Sequence, residues 1–165
     1  MTTLDAALRL PRHAWTDHPR YPTQTLLLGS HDSFRRTSST LIARAESGGD
    51  LAGIQWVFSY WKSAMRGHEH YEEHKLYPYL EARVPLSCDA LRAGHDHLAE
   101  LDTAVRDAED LPALAAALKA HDAVLCAHLE AEEALVIPAL LALAPEEFET
   151  YYHSDIRTLL RTLEG

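Results

Sequence analysis

The chain has 165 residues, of which 47% are hydrophobic, so it can bury a core as a single domain. A formal net charge of −10 excludes the basic footprint of a nucleic-acid-binding protein. No apolar run approaches the ~20 residues of a membrane span, the amino terminus lacks the pattern of a signal peptide, and the two cysteines suit a reducing compartment. The composition therefore predicts a cytoplasmic protein without nucleic-acid or membrane partners.

The first part of the chain is predicted to be an arm followed by two long helices. Prolines interrupt residues 1–22, which we interpret as the arm, with Trp15 and Tyr21 available to pack on one end of the fold. Apolar residues then recur at helical spacing over residues 23–47, and Gly48-Gly49 ends this first helix. The second helix is predicted over residues 51–83, with Asp50 as its N-cap and Pro85 beyond its end.

The second part of the chain is predicted to form three further helices. They span residues 87–109, residues 111–143 after the N-cap Asp110, and residues 145–163 after Pro145. The connections between the first four helices are short, which makes neighbouring helices antiparallel. The fold class predicted is thus all-α, an up-down four-helix bundle over residues 23–143 with an arm and a fifth helix packed on the outside.

A histidine and a glutamate four residues apart occur twice, on the second and fourth predicted helices. Residues 68–78 read HEHYEEHKLYP and residues 128–138 read HLEAEEALVIP. A shift of 60 places superposes four pairs: His68 on His128, Glu72 on Glu132, Glu73 on Glu133, and Pro78 on Pro138. Residues four apart share one face of a helix, so each stretch presents an imidazole and a carboxylate to one point in space.

A second repeat places one histidine on each of the other two helices. His31 lies in HDSF and His95 in HDHL. His31 is about as far from the end of its helix as His68 is from the start of the next, at ~1.5 Å per residue. The same holds within about one turn for His95 and His128. Four histidines and two glutamates therefore converge at one level of the bundle.

This set of residue types predicts a metal site. Carboxylates buried in an apolar core are costly unless they are paired or bind a metal, and no Lys or Arg lies on the ligand faces near Glu72 or Glu132. Imidazole and carboxylate together suit iron, manganese or zinc. The alternative is that these side chains merely solvate the surface of the bundle, which requires the repeat, the spacing and the matching heights all to be accidents.

Together these motifs resemble the hemerythrin family in its broad form, the hemerythrin HHE cation-binding domain. The resemblance implies two iron ions, for which zinc or manganese can substitute. It implies that His31 and His68 hold one ion and that His95 and His128 hold the other. It also implies that Glu72 and Glu132 bridge the ions together with an oxo or hydroxo group.

The chain departs from the oxygen-carrying hemerythrins at one position. Their third helix carries two histidines four residues apart, whereas the residue four after His95 is Ala99. Either the second ion has an open position or another side chain fills it, and an open position favours reaction over carriage. We therefore expect a di-iron oxidoreductase that reacts with dioxygen, hydrogen peroxide or nitric oxide and uses a separate electron donor. The alternatives are reversible binding or sensing of oxygen, nitric oxide or iron, and an oxygenase acting on an organic substrate.

The remaining polar residues near the motifs are expected to have ordinary roles. Glu69, Glu73 and Glu133 flank the predicted ligands and are expected mainly on solvated faces, with supplementary coordination of a metal by any one of them as the alternative. His121 shares the face of His128 but lies two turns away, so it is expected in the core or behind the ligands, with a proton or substrate path as the alternative. Tyr60, Tyr71 and Tyr77 are expected to contribute packing, with an approach to the site as the alternative for each.

Overall fold

The computed structural model describes residues 11–19, 21 and 27–143, and these residues are helical without any strand. A 3-10 turn at Arg12–Ala14 is followed by six helical segments. We number them α1 (Leu27–Glu46), α2 (Leu51–Tyr71), a π-helical turn (Glu72–Leu76), α3 (Tyr77–Glu81), α4 (Asp89–Arg106) and α5 (Leu111–Ala142). The predicted helix over residues 145–163 and the start of the arm lie outside the described residues.

The predicted helix boundaries are confirmed where capping residues set them. The Asp50 carboxylate accepts a hydrogen bond from Gly53 N at 2.7 Å, and the Asp110 carboxylate accepts one from Ala113 N at 2.8 Å. Gly48 follows α1 with a φ of 82°, a left-handed conformation that favours glycine. These three residues fix both short connections that precede α2 and α5.

The four long helices form a ring in which each contacts two neighbours. Helix α1 packs against α2 and α5, and α4 packs against the same two helices. This is the arrangement predicted for an antiparallel bundle. None of the described helices is both long and apolar enough to cross a membrane.

The core of the bundle consists of two apolar layers with polar residues between them. One layer is built around Phe58, Leu98 and Leu118, and the other around Tyr77, Leu80 and Leu140. On α4, for example, Leu91 belongs to the second layer and Leu98 to the first, with the buried His95 between them. The same order of apolar, polar and apolar residues holds on the other three helices, so the polar layer crosses the middle of the bundle.

The second predicted helix is not continuous. Between α2 and α3 the chain makes a π-helical turn, in which Tyr77 N donates to the carbonyl of Glu72, five residues earlier. Pro78 follows directly, and its ring would press on the carbonyl of His74 in a regular α-helix. The wider turn relieves that clash. In contrast, α5 continues through the equivalent Pro138 without a π-helical turn.

The described part of the arm packs on the layer that contains Tyr77. Trp15 is buried in that layer, and Tyr21 packs against it half-buried. Arg12 lies beside the Trp15 ring, 6.0 Å from its centroid. These contacts fix the 3-10 turn over the end of the bundle to which α3 and the end of α5 belong.

Candidate metal centre

The structure brings all six predicted ligands together in the polar layer. Each of the four long segments supplies the residues that the sequence placed on it, and five of the six side chains are buried: His31, Glu72, His95, His128 and Glu132. The sixth, His68, has 19% of its side chain exposed. Four histidines and two glutamates, supplied by the four long segments, thus line one site in the interior of the bundle.

Four of these residues are close enough to share one ion. His31, His68, Glu72 and Glu132 each offer a ligand atom, and these atoms lie within 4.8 Å of one another. His31 Nε2 is 3.2 Å from His68 Nε2 and 3.3 Å from Glu132 Oε2. His68 Nε2 lies 2.6 Å from Glu72 Oε1. This half of the site contains the first ligand pair predicted from the sequence.

His95 and His128 lie on the other side of the same two glutamates. His95 Nε2 is 3.5 Å from Glu72 Oε2, and His128 Nε2 is 3.9 Å from Glu132 Oε2. The two imidazole rings have their centroids 4.5 Å apart. Each glutamate therefore stands between the two histidine pairs, which is the position that a bridging carboxylate requires.

A glycine on α4 allows this close approach of α5. A Cβ atom on Gly94 would overlap Nδ1 of His128, and its other near contacts would be atoms of the same ring. A larger residue at position 94 would therefore push His128 away from the other ligands. Glycine is needed here for lack of a side chain rather than for its backbone freedom.

The glutamate oxygens fit a metal better than they fit the protein groups around them. Both oxygens of Glu72 and Oε2 of Glu132 are buried and accept no hydrogen bond from the described residues, although imidazole nitrogens lie near each of them. A buried carboxylate oxygen without a partner costs at least ~1–3 kcal/mol. Imidazole nitrogens and carboxylate oxygens in this number suit iron, manganese or zinc. The residues present thus fit the cation-binding role.

The carboxylates and histidines of the site shift each other's pKa values. Burial lowers the pKa of His31, but its contacts with Glu132, Glu133 and Glu72 outweigh burial and raise it to about 10. Burial likewise opposes the raised pKa of His95, about 9, to which Glu72 and Glu73 contribute most. Burial and the neighbouring His95 lower the pKa of His128 to about 4. Without a metal the site therefore holds protons on some imidazoles and not on others.

Two further glutamates contact Nδ1 of a predicted ligand histidine, the ring nitrogen that faces away from the bridging glutamates. The prediction that these glutamates are mainly solvated is wrong for one of them. Glu133 is 1% exposed, and its Oε1 lies 3.0 Å from His31 Nδ1. Arg35 donates to the same oxygen at 2.8 Å, and Arg12 of the arm contacts the other oxygen. Glu73 is half-buried, and its Oε1 lies 2.8 Å from His95 Nδ1. The signal was present in the sequence, since both glutamates directly follow a predicted ligand glutamate.

Tyr77 does more than pack. It is fully buried, and its hydroxyl donates a hydrogen bond to Glu132 Oε1 at 2.7 Å. Its ring stacks on that of His95 with centroids 6.1 Å apart. Burial and the nearby Glu132 and Glu72 raise the pKa of Tyr77, so its hydroxyl keeps its proton. The π-helical turn is what brings Tyr77 to the site, because it stacks this residue one turn beyond Glu72.

Ala99, where the sequence predicts an open position at the second ion, does not face the interior of the bundle. Ala99 is exposed, and the α4 residue that lines the small pocket at the site is its neighbour Leu98. The other apolar residues in the wall of the pocket are Phe34, Met65, Leu125 and Leu129. The free volume of the pocket is about 10 Å³, which corresponds to about one water-sized species.

His121 lies in the core, as expected, in a second polar cluster beyond this pocket. It is fully buried, and its Nε2 is 3.5 Å from Asp102 Oδ1. The buried Lys62 ammonium lies 3.5 Å from the same oxygen and 3.6 Å from Glu69. Mutual pairing thus compensates these charges, and His121 does not reach the predicted ligands.

One comparison with known proteins identifies the family. Residues 23–140 match the family model of the hemerythrin HHE cation binding domain. No curated protein and no solved structure matches the chain significantly. The match spans the helices that carry all six residues of the site and covers more than half of the chain. The protein therefore belongs to the hemerythrin HHE cation-binding domain family.

Proposed function

We propose that this protein is a non-haem di-iron oxidoreductase of the cytoplasm, whose metal centre reacts with dioxygen, hydrogen peroxide or nitric oxide. In this proposal His31 and His68 hold one ion, and His95 and His128 hold the other. Glu72 and Glu132 bridge the two ions, with zinc or manganese as possible substitutes for iron. The bound iron supplies the electron-transfer chemistry that side chains lack, and a separate donor returns the electrons.

The observation that carries the proposal is the pair of buried glutamates between two pairs of histidines. Glu72 and Glu132 each lie within 3.9 Å of an imidazole nitrogen from both pairs. Three of their four oxygens have no hydrogen-bond donor in the part of the chain that the structure describes. A single metal would leave one pair of histidines without a role. Two ions use all four imidazoles and the unpartnered oxygens together.

The pocket favours a small oxidant over an organic substrate. Its volume of about 10 Å³ gives room for about one water-sized species, and aliphatic and aromatic side chains form one part of its wall. Tyr77 keeps the proton on its hydroxyl and donates a hydrogen bond to Glu132 Oε1, which fixes the orientation of that carboxylate in the wall of the pocket. A buried site of this size suits a diatomic molecule or peroxide.

The first experiment measures the metal content of the full chain. Protein expressed with iron and analysed by atomic emission should contain about two irons per chain. Glu132→Gln should lose more iron than His31→Ala, because the glutamate contributes to both ions and the histidine to one. Glu130→Gln removes an exposed glutamate of the same helix and serves as the matched control, with iron content like that of the wild type. One iron or less in fully loaded wild-type protein would contradict the paired site.

The second experiment distinguishes reaction from reversible binding. The reduced, iron-loaded protein is mixed with each of the three oxidants in a stopped-flow spectrophotometer. An oxidoreductase should pass directly to its oxidised form and should turn over when reductant is added. A stable optical band with oxygen or nitric oxide that disappears under vacuum would instead identify a reversible binding protein. His97→Ala removes an exposed histidine of α4 and serves as the control for iron bound outside the buried site.

A further inference from the structure

We propose that Glu133 and Glu73 are positioning residues, each of which orients one histidine of the metal centre through a contact with its Nδ1. The inference rests on the proposed metal site and adds two residues that do not themselves bind the ions. A histidine that binds metal through Nε2 must carry its proton on Nδ1. A carboxylate that accepts this proton fixes the tautomer, orients the ring and makes it a better ligand.

The two contacts are related by the internal repeat. Glu133 on α5 faces His31 on α1 at 3.0 Å, and Glu73 at the π-helical turn faces His95 on α4 at 2.8 Å. In both cases Nδ1 faces the carboxylate, so Nε2 of the same ring is directed at the bridging glutamates. Each glutamate-rich repeat thus supplies a bridging carboxylate and, one residue later, a carboxylate that orients a histidine on a neighbouring helix.

The surroundings of the two carboxylates differ. Glu133 is 1% exposed and is held by Arg35 and by Arg12 from the arm. Glu73 has 32% of its side chain exposed, and the only ion pair recorded for it among the described residues is that with His95. Water can therefore replace a lost Glu73 carboxylate. Loss of the buried Glu133 charge instead leaves His31 Nδ1 without its carboxylate, and among the described residues it leaves Arg35 paired with the exposed Asp32, 3.4 Å away. We infer that the His31 side of the site is held more rigidly than the His95 side.

The test compares Glu133→Gln with Glu73→Gln, since glutamine keeps the shape and removes the charge. Zinc affinity of the full chain is measured by competition with a chelator. Loss of such an outer contact typically weakens metal binding by about 10- to 100-fold. We expect Glu73→Gln to weaken binding by about tenfold, and Glu133→Gln to weaken it by more, towards 100-fold.

Matched controls come from the aspartates that follow the same two histidines. Asp32 and Asp96 are exposed, and each directly follows His31 or His95 in the sequence. Asp32→Asn and Asp96→Asn remove the same charge at a similar distance along the chain, but among the described residues neither carboxylate contacts a ring nitrogen. Asp32 does pair with Arg35 at 3.4 Å, but with 55% of its side chain exposed this pair contributes little. Both variants should bind zinc as the wild type does. Arg12→Ala removes a half-exposed partner of Glu133 that also lies beside the Trp15 ring, and it should weaken zinc binding less than Glu133→Gln. This second variant tests the same carboxylate if Glu133→Gln does not fold.

A spectroscopic measurement separates positioning from a general loss of structure. Zinc is diamagnetic, so the Nδ1 protons of the bound histidines can be observed by NMR in the zinc-loaded protein. Glu133→Gln should shift the His31 signal and leave that of His95 in place, and Glu73→Gln should do the reverse. Variants with unchanged zinc affinity and unchanged Nδ1 signals would overturn this proposal alone. A wild-type protein that binds no zinc or iron would overturn the metal site and this proposal together.

Discussion

Tyr77→Phe tests how much a single hydroxyl contributes to the polar layer of the bundle. The variant keeps the buried ring and its stacking on His95 and removes only the donor to Glu132 Oε1 at 2.7 Å. The other oxygen of Glu132 already lacks a hydrogen-bond donor in the structure. Loss of the hydroxyl therefore leaves a fully buried carboxylate without any donor in hydrogen-bonding geometry.

The expected effect follows from the charge and burial of the acceptor. Hydrogen bonds to charged groups contribute ~1.5–3 kcal/mol, and both partners here are 0% exposed, so solvent does not weaken the bond. We expect Tyr77→Phe to lower the free energy of unfolding of the metal-free protein by about 2 kcal/mol. For a chain of this size that corresponds to a fall in Tm of roughly 4–8 °C. The pKa of Glu132, already raised above all by burial, should rise further without this donor.

The assay is urea unfolding of chelator-treated protein, followed by circular dichroism. Tyr60→Phe on α2 is the matched control, because Tyr60 is 71% exposed and should change stability by no more than ~0.5 kcal/mol. If the two variants were equally stable, the Tyr77 hydroxyl would contribute nothing to the site. The assignment of Tyr77 as the hydrogen-bond donor that orients Glu132 would then be wrong.

Two further predictions concern the packing and the protonation of the site. Gly94→Ala should displace His128, lower the free energy of unfolding by ~1–3 kcal/mol and weaken zinc binding. Gly67→Ala, on the open surface of α2, should instead raise the free energy of unfolding by ~0.4–1 kcal/mol. The same unfolding and chelator assays measure both variants. The pKa values of His31 and His95 are raised from an ordinary 6.5 to about 10 and about 9, so protonation of these two histidines stabilises the metal-free fold. This contribution is fully present below pH 6.5 and is lost as the pH rises through 9 to 10. Because metals bind neutral imidazole, zinc affinity should instead rise over that pH range, and the protons released on binding can be measured by titration. A zinc affinity that does not change with pH would contradict these pKa values.

The sequence predicts the centre of this molecule well because two constraints coincide there. A ligand must lie on the inner face of its helix, and the helix period converts this requirement into a fixed spacing, as for His68 and Glu72. The cap residues Asp50 and Asp110 then fix where two of the helices begin, and so the heights of His68 and His128. Period and caps together bring the residues to one level without any knowledge of the packing.

Features that depend on contacts between helices could not be read in the same way. Glu133 lies one residue past a ligand, about 100° round the helix, and only the position of α1 decides whether it meets solvent or His31. The prediction that Ala99 faces the site is wrong for the same reason. A small rotation of α4 directs Leu98 rather than Ala99 to the pocket. Pro78 and Pro138 occupy equivalent places, yet only the first follows a π-helical turn. The proline predicts a missing bond and not how the helix adapts to it.

The position of the site between two apolar layers couples metal binding to the stability of the whole bundle. Glu72 and Glu132 are both buried, and their carboxylates raise the free energy of the metal-free fold wherever they lack partners. An ion bound between them compensates that cost in the folded state, and an unfolded chain offers no such site. Metal should therefore stabilise the bundle by mass action, in proportion to its affinity. A weakened ligand contact, such as that of Glu133 with His31, then reduces stability and reactivity through the same loss of bound metal.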